Sequence, residues 1–303
     1  MLIWEFSVND WKIEPLSVNP SIGVSAETLV ECGAKVYDLI VNGEAYRLLS
    51  AVFLHAGIIH FIFNMLALFS IGAVLERVFG GFKVLVIFIV SGVFSTAVSA
   101  IFLPYQVMVG ASGAILGLLG GVWADLLQNW SLKQRPWVSI IVLFTITAVN
   151  LLLGLMPYLD NFAHMGGLVM GFFCSLPLLV MRAETAHGKL VAVSVRQRIL
   201  QALGLVTSIA LLVAALVVLF GSEEDSVNEW CSWCSNLSCV EFPKGDPLWR
   251  CDECSQAGFE AVVGGDGSVA LTCPDSTHVQ VAAGGCNYAS SDELTQCCIA
   301  NCL

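Results

Sequence analysis

Long apolar runs, separated by short polar connections, dominate the first 220 residues of the chain. A membrane-spanning helix needs about 20 such residues. The pattern therefore predicts six spans, at residues 57–76, 83–103, 112–128, 137–156, 162–181 and 199–220. Short connections between spans are typical of a compact helical bundle, so we expect an all-α polytopic membrane protein.

The residues before the first of these runs have a different character. Residues 7–48 are mixed and polar, and prolines and glycines interrupt them. We expect a structured loop outside the membrane, with a short helix over 25–36 that Ser25 caps. Residues 1–6 are apolar but lack the basic start and the long apolar core of a signal peptide. We interpret them as the remnant of a first span, in a chain truncated at its N-terminus.

Composition supports a membrane location. Hydrophobic residues make up 57% of the 303 and charged residues 12%, whereas soluble domains carry about 25% charged residues. The net charge of -11 is concentrated in residues 221–303, which contain 13 acidic and two basic residues. The remainder is neutral and has no basic patch of the kind that binds nucleic acid. The sequence thus predicts a neutral membrane body, an acidic tail and no nucleic-acid partner.

Basic residues in the short connections indicate the orientation of the spans. Eight Lys and Arg residues lie in one set of connections, and none lies in the opposite set, at 104–111 and 157–161. The basic set is expected in the cytoplasm, where residues 182–198 form a linker before the last span. The tail, residues 221–303, is then lumenal or extracellular, which places the protein in the secretory pathway, at the Golgi or plasma membrane.

Ten of the twelve cysteines lie in the tail: Cys231, Cys234, Cys239, Cys251, Cys254, Cys273, Cys286, Cys297, Cys298 and Cys302. Two Cys-x-x-Cys pairs, at 231–234 and 251–254, are similar to a zinc-ribbon pattern. In an oxidising compartment so many cysteines favour disulfides. We favour disulfides over zinc and leave their connectivity open. The sequence Asn236-Leu-Ser is then an acceptor for N-glycosylation.

Four polar residues inside apolar spans are candidates for function, because polar groups are costly there. Ser112 lies in a Gly-Ala-Ser-Gly sequence, and His164 lies in Ala-His-Met-Gly-Gly. His60 and Asn64 are four residues apart on one helix face near the lumenal end of their span. A nucleophile, a base and hydrogen-bond donors for an oxyanion are what acyl transfer requires.

Small residues recur every four positions after both Ser112 and His164. The two stripes consist of Gly113, Gly117 and Gly121 in one span and of Gly167 and Gly171 in the other. Such stripes allow helices in lipid to approach closely. If they meet, the serine and the histidine come together at one depth, a short way below the lumenal surface.

Each feature also has a structural interpretation. Glycine stripes often serve packing alone, and a serine in a span often bonds its own backbone. The matched depth and the His60–Asn64 pair favour chemistry over packing. The serine context is not Gly-x-Ser-x-Gly, and no Asp is evidently placed to orient His164. We expect a Ser112–His164 dyad, with no metal site in the membrane body and no cofactor.

Three segments resemble the signature sequences of the rhomboid intramembrane serine proteases, in order and within residues 19–181: His55-Ala-Gly-Ile-Ile-His60-Phe-Ile-Phe-Asn64, Gly110-Ala-Ser-Gly113 and Ala163-His164-Met-Gly-Gly167. The resemblance implies that Ser112 is the nucleophile and His164 the general base. It also implies an oxyanion hole formed by His60, Asn64 and the backbone N–H of Ser112, with Gly110 in support.

The resemblance further implies a rhomboid-like helical bundle with a small cysteine-rich lumenal tail. Residues 49–181 would be the catalytic membrane domain, and 199–220 the extra helix of eukaryotic, plant-like members with six-plus-one spans. The implied substrates are single-span membrane proteins, cut within or near their transmembrane helix. The alternatives are a catalytically silent relative that binds membrane clients for trafficking or degradation, and a receptor whose tail binds a ligand.

Overall fold

The computed structural model describes residues 1–16, 19–104, 106–156, 159–182, 190–221, 231, 234–240, 260–263, 267–272, 278–286, 297–298 and 301. Its helices, in chain order, are α1 (Leu2–Val8), α2 (Ala26–Glu31), α3 (Tyr37–Val41), α4 (Arg47–Ser50), α5 (Ile58–Phe79), α6 (Gly81–Phe102), α7 (Ser112–Gln128), α8 (Pro136–Leu153), α9 (Asn161–Leu178), α10 (Val195–Gly221) and α11 (Ser235–Ser238). Its strands are β1 (Glu260–Val263), β2 (Val269–Thr272) and β3 (His278–Val281).

Five of the described helices, α5, α6, α8, α9 and α10, are long and apolar enough to cross a membrane. The sixth, α7, has 17 residues and is buried over most of its length. Each span expected from the apolar pattern coincides with one of these helices, and the ends differ by a few residues. The chain is therefore an integral multi-pass membrane protein with an all-α membrane body.

The centre of the bundle is α7, which packs closely against α6. Gly113 and Gly117 on α7 face Ser95 and Ser91 on α6, and all four residues are buried. Both serine hydroxyls donate to carbonyls of their own helix, which satisfies them in an apolar interior. Because neither glycine carries a side chain, the two helices approach until the serines touch the α7 backbone.

The attachment of α8 is looser. Leu143 is its one buried residue, and Phe144 leaves 67% of its surface exposed. One side-chain hydrogen bond ties the middle of α8 to α7, from Trp123 Nε1 to Thr147 Oγ1 at 3.0 Å. This helix is apolar on all sides, and other parts of the protein cover little of it. Most of its surface therefore faces lipid.

Polar side chains join α7, α9 and α10 at the bundle end opposite Ser112. Gln128 Nε2 donates to the carbonyls of Leu176 and Gln197, each at 3.1 Å. Asn129 Nδ2 donates to Asp125 Oδ1 at 2.7 Å, and Lys133 pairs with the same carboxylate. The Gln128 bonds fasten the start of α10 to the membrane body, and Asp125 holds Asn129 and Lys133 at the end of α7.

The loop before α5 is held by two buried cations. Arg47 Nη1 donates to the carbonyls of Val30 and Ala34 at 2.7 and 2.9 Å. Lys35, which is fully buried, donates through Nζ to the carbonyls of Leu103 and Gln106, both at 2.6 Å. The second contact fixes this loop against the segment that leads into α7.

The helix expected over 25–36 is shorter than predicted. Ser25 caps it by accepting from Thr28 N at 3.2 Å, as expected, but α2 ends at Glu31. Gly33 has φ of 101° and turns the chain out of the helix. A glycine in this left-handed conformation is a common helix stop, and its presence inside the expected range was the signal for an earlier end.

The tail contains a small antiparallel sheet in the order β1-β2-β3, which the sequence analysis did not predict. Disulfides join Cys231 to Cys234 and Cys286 to Cys297, and Cys239 and Cys298 are also disulfide-bonded. Two pairings, which the sequence left open, are thus identified with both partners. The remaining tail cysteines lie outside the described residues: Cys251, Cys254, Cys273 and Cys302. The glycosylation of Asn236, in α11, stays a prediction.

Candidate active site

Ser112 is the first residue of α7. The preceding residue, Ala111, offers no side-chain cap to the helix, so the first N–H groups of α7 have no partner within the helix. The Ser112 side chain is half-buried. A serine hydroxyl therefore lies beside free backbone donors at the positive end of a helix dipole, which is a favourable place for developing negative charge.

The backbone just before Ser112 is shaped by Gly110. Its φ of 128° is one that residues with a side chain rarely adopt, and its N–H donates to the carbonyl of Ala51 at 2.9 Å. A Cβ at this position would lie 2.7 Å from Cε1 and 2.9 Å from Nε2 of His60. The glycine thus allows the His60 ring to pack directly on the turn that leads to Ser112.

The hydrogen bonds of His60 define which of its nitrogens carries the proton. Its Nδ1 accepts from the Ala56 backbone N–H at 3.3 Å, so a neutral ring carries its hydrogen on Nε2. That nitrogen lies on the side of Gly110. His60 can therefore donate toward the Ser112 turn without first being protonated.

Asn64 is only partly free for the same task. It is buried, and its Nδ2 donates to the carbonyl of His60, one turn back on α5, at 3.0 Å. An amide nitrogen has two hydrogens, so one remains for a ligand. Asn64 can thus still donate one hydrogen bond, as expected, while the other holds it to its own helix.

Behind His60 lie further buried side chains that the sequence did not indicate as part of the site. The ring of His55 meets the rings of His60 and Phe61 edge-on, with centroids 5.5 and 5.1 Å apart. The backbone N–H of His55 donates to Glu5 Oε1 at 3.2 Å, and Glu5 is fully buried. Burial lowers the pKa of His55 to about 4, so its ring is neutral near pH 7. In the sequence, the only indication that Glu5 is buried was its place as a single acidic residue among apolar ones.

His164 lies in the first turn of α9. Asp160 caps this helix, because its Oδ1 accepts from Ala163 N at 2.8 Å and its carbonyl accepts from the His164 N–H at 3.1 Å. The imidazole is 6% exposed, and neither ring nitrogen has a hydrogen-bond partner among the described residues. Asp160 therefore positions the helix rather than the ring, and the ring is not hydrogen-bonded to Ser112.

The glycine stripes of α7 and α9 meet face to face. A side chain on Gly167 would overlap the carbonyl of Gly113, and one on Gly171 would overlap the carbonyl of Gly117. The last glycine of the α7 stripe, Gly121, faces the Ser175 hydroxyl of α9. Because Ser112 directly precedes Gly113 and His164 lies about one turn before Gly167, the structure places both residues at the same end of two helices in backbone contact.

Among the described residues, no group of three or more His, Cys, Asp and Glu side chains is arranged to hold a metal ion. The His60 ring lies against the turn before Ser112, and the first N–H groups of α7 have no partner within the helix. These are the parts of a nucleophilic site in which charge develops on a substrate oxygen and on a histidine. The chain is thus a polytopic membrane protein with candidate residues Ser112 and His164 near one end of its bundle.

Comparison with known proteins gives the family. A family model described as a rhomboid domain matches residues 42–181. RHOMBOID-like protein 6, mitochondrial, from Arabidopsis thaliana is 36% identical over 252 residues, covering 80% of each chain. RHOMBOID-like protein 2 from the same plant is 40% identical over 250 residues, covering 80% of this chain and 77% of the relative. The chain belongs to the rhomboid family.

A further relative carries a different description. Inactive rhomboid protein 1 from Danio rerio is 35% identical over 202 residues, which cover 67% of this chain but 22% of that much longer protein. The family thus contains intramembrane proteases and proteins described as inactive. Family membership alone does not distinguish a protease from an inactive relative, so the distinction depends on the residues of the site.

Proposed function

We propose that this chain is an intramembrane serine endopeptidase that cleaves single-span membrane proteins within or near their transmembrane helix. Ser112 is the nucleophile and His164 the general base. The observation that carries the proposal is the backbone contact between α7 and α9, which brings the starts of both helices together. A silent protein has no chemical need for a hydroxyl and an imidazole with two free nitrogens at that place.

The reaction follows from the positions of these groups. Ser112 Oγ attacks the carbonyl carbon of the scissile peptide while His164 takes the hydroxyl proton. The oxyanion that forms accepts hydrogen bonds from the Ser112 N–H, from His60 Nε2–H and from the unused Asn64 amide hydrogen. His164 then gives its proton to the leaving amine as the C–N bond breaks. In the second half, His164 removes a proton from water as the water oxygen attacks the acyl-enzyme, and it returns this proton to Ser112 Oγ when the ester bond breaks.

The environment restricts the substrate. A peptide bond in an intact transmembrane helix is covered by the helix, and the hydrocarbon region contains little water. The site lies near the bundle end with few basic connections, and this distribution supports a lumenal or extracellular opening. A suitable substrate has a helix that unwinds at its lumenal end, with breakers and small residues near the cut. The same orientation supports a lumenal tail and a location in the Golgi or plasma membrane.

A reconstitution assay tests the proposal. The full chain is placed in liposomes with a single-span substrate whose lumenal helix end contains glycine or proline. Cleavage is expected from the wild type and is expected to be lost in Ser112→Ala, because no other nucleophile replaces the hydroxyl. Ser70→Ala is the matched control, since Ser70 is exposed on α5 and donates to its own helix at Leu66. Retained cleavage by Ser112→Ala contradicts the assignment.

The second candidate is a silent rhomboid-like protein that holds membrane clients for trafficking or degradation. The similarity to the inactive relative from Danio rerio favours it. The two functions differ in one measurement on the same liposomes. A protease converts substrate with time, whereas a silent binder co-purifies with an intact client, equally well in the wild type and in Ser112→Ala.

A further inference from the structure

Part of the cysteine-rich tail contacts the ends of α8 and α9. We call residues 231 and 234–240 the clasp segment. Asn161 Nδ2, at the start of α9, donates to the carbonyl of Leu237 at 2.8 Å. The backbone N–H of Val240 donates to the carbonyl of Leu155, just beyond the end of α8, at 3.1 Å. The clasp segment therefore bonds to the start of α9 and to the connection two residues past the end of α8.

Apolar burial holds the clasp segment in place. Cys231 and Cys234, joined by a disulfide, are 3% and 5% exposed and pack in one cluster with Phe162 and Leu237. The Phe162 ring stacks on that of Phe102 from α6, with centroids 4.5 Å apart. The disulfide closes a short loop and limits the conformations of this segment away from the bundle. Its docking surface is thus the shared end of α6 and α9.

Asn161 lies at the junction of the three parts. The side chain is 3% exposed, and a Cβ on Gly154, the residue that ends α8, would lie 2.7 Å from its Cγ. One edge of the amide touches the end of α8, and the nitrogen bonds the clasp segment. His164 follows three residues later on the same helix turn. The junction is therefore adjacent to the proposed base but separate from it.

The attachment matters because α8 has few others. Its one buried residue is Leu143, and its side-chain bond to α7 is at Thr147. A substrate helix that reaches Ser112 from the bilayer must pass between helices of the bundle. Displacing α8 breaks fewer contacts than displacing α6 or α9, which share closely packed interfaces with α7. Bonds that hold the Ser112 end of α8 to α9 consequently oppose this route.

We propose that the clasp segment restricts the access of membrane-spanning substrates to Ser112 and His164 by tying the end of α8 to the start of α9. Asn161 is a positioning residue in this arrangement, and the Cys231–Cys234 disulfide keeps the segment docked. This inference rests on the proposed protease function. It adds that weakening the clasp raises the cleavage rate of substrates that enter from the bilayer, whereas damage to the fold lowers it.

Three full-length variants in liposomes test the inference. Cys231→Ser/Cys234→Ser removes the docking disulfide, and Asn161→Ala removes the junction without changing a cysteine. The matched control is Cys286→Ser/Cys297→Ser, because that disulfide packs only with tail residues among those described. Two readouts are taken: the cleavage rate of a single-span substrate, and labelling of Ser112 by a small fluorophosphonate, which needs no helix displacement.

Asn161→Ala is expected to raise the cleavage rate about fivefold, which is what losing one hydrogen bond does to a two-state opening equilibrium. Cys231→Ser/Cys234→Ser is expected to raise the rate as well, because the segment is no longer constrained for docking. Labelling is expected to stay at the wild-type level, and the control is expected to match the wild type in both readouts. Unchanged cleavage in the two clasp variants overturns the inference. So does a parallel fall of cleavage and labelling, because it means that the segment only supports the fold.

The two proposals can fail separately. If the wild type is labelled and cleaves, but the clasp variants show no gain, the clasp inference fails and the protease assignment stands. If the wild type is neither labelled nor able to cleave, the protease assignment fails, and the clasp inference, which depends on it, fails as well.

Discussion

Two neighbouring helices of the bundle, α9 and α8, differ sharply in how they are held. In the most apolar stretch of α9, 61% of the residues are buried, against 6% in α8. The glycines of α9 press against the backbone of α7, whereas α8 contacts α7 through Leu143 and one tryptophan hydrogen bond. The difference teaches that the helix with His164 is fixed by packing along its length, whereas α8 has few contacts within the bundle. The proposed route of the substrate past α8 depends on this contrast.

The largest expected effect comes from adding one methyl group to the locked interface. Gly171→Ala places a Cβ against the Gly117 backbone, and neither backbone can yield without separating α7 from α9. We expect a loss of stability of about 3 kcal/mol, at the upper end for overpacking, together with the loss of cleavage. The measurement is the midpoint of thermal unfolding in detergent, with cleavage recorded on the same samples.

Gly221→Ala is the matched control for this change. Gly221 ends α10, and a Cβ there meets nothing within 4 Å. A wild-type unfolding midpoint is expected for it. If Gly171→Ala also unfolds like the wild type, the close backbone contact of α7 and α9 is not what holds the bundle.

A pH-dependent change in stability of similar size is expected at Lys35, which bonds the loop before α5 to the segment before α7. Burial lowers the pKa of Lys35 from 10.5 to about 8. Between these pH values the unfolded chain binds a proton that the folded chain has released, so stability rises as pH rises through this window. The gain amounts to about 3 kcal/mol across the window. A neutral amine still has two hydrogens for the carbonyls of Leu103 and Gln106.

Lys35→Met provides the comparison. The unfolding midpoints of the wild type and of Lys35→Met are measured below, within and above the window. The unfolding midpoint of the wild type is expected to rise relative to that of Lys35→Met as the pH increases from about 8 to 10.5. Parallel curves over that range would show that Lys35 does not titrate there.

A smaller effect is expected at the turn before Ser112. Gly110→Ala combines an unfavourable φ with a contact against the His60 ring, and strain of this kind costs about 1–3 kcal/mol. Gly43→Ala has nearly the same φ, 121°, but no atom within 4 Å of the added Cβ. Cleavage is expected to fall in Gly110→Ala and not in Gly43→Ala. Equal cleavage by Gly110→Ala and Gly43→Ala would mean that the position of His60 does not affect the reaction.

The smallest effect is expected on the outer face of α8. Phe144→Leu changes a side chain that is 67% exposed, and a shift within about 0.5 kcal/mol is expected. Phe94→Leu makes the same change on α6, where the ring is 5% exposed, and about 1 kcal/mol or more is expected there. Unfolding midpoints of the two variants compare the helices directly. A large loss at Phe144 would mean that α8 is held as firmly as its neighbours.

Much of the membrane body could be predicted before the structure because its signals are local. Each expected span coincides with a helix, and Ser25 caps α2 as expected. The misjudged end of α2 is local as well, at a glycine whose backbone conformation stops the helix. The three-stranded sheet was missed because its strands have four residues each and lie among cysteines and turn residues.

The surroundings of the candidate site were harder to predict. Glu5 bonds His55 across 50 positions of the chain, and Asn161 bonds Leu237 across 76. In neither pair does the local sequence of one residue indicate its distant partner. His60 illustrates a subtler limit, since the nitrogen that can donate depends on a bond from the Ala56 backbone.

The amino-acid order alone determines the membrane class, the helix positions and the candidate residues Ser112 and His164, because hydrophobicity and glycine spacing act within one segment at a time. Tertiary structure decides which groups support those residues and what holds α8 in place. Such contacts depend on the relative placement of separate helices, and this is settled by packing over the whole bundle rather than by any single segment. The clasp between the tail and the α8–α9 connection belongs to this second group.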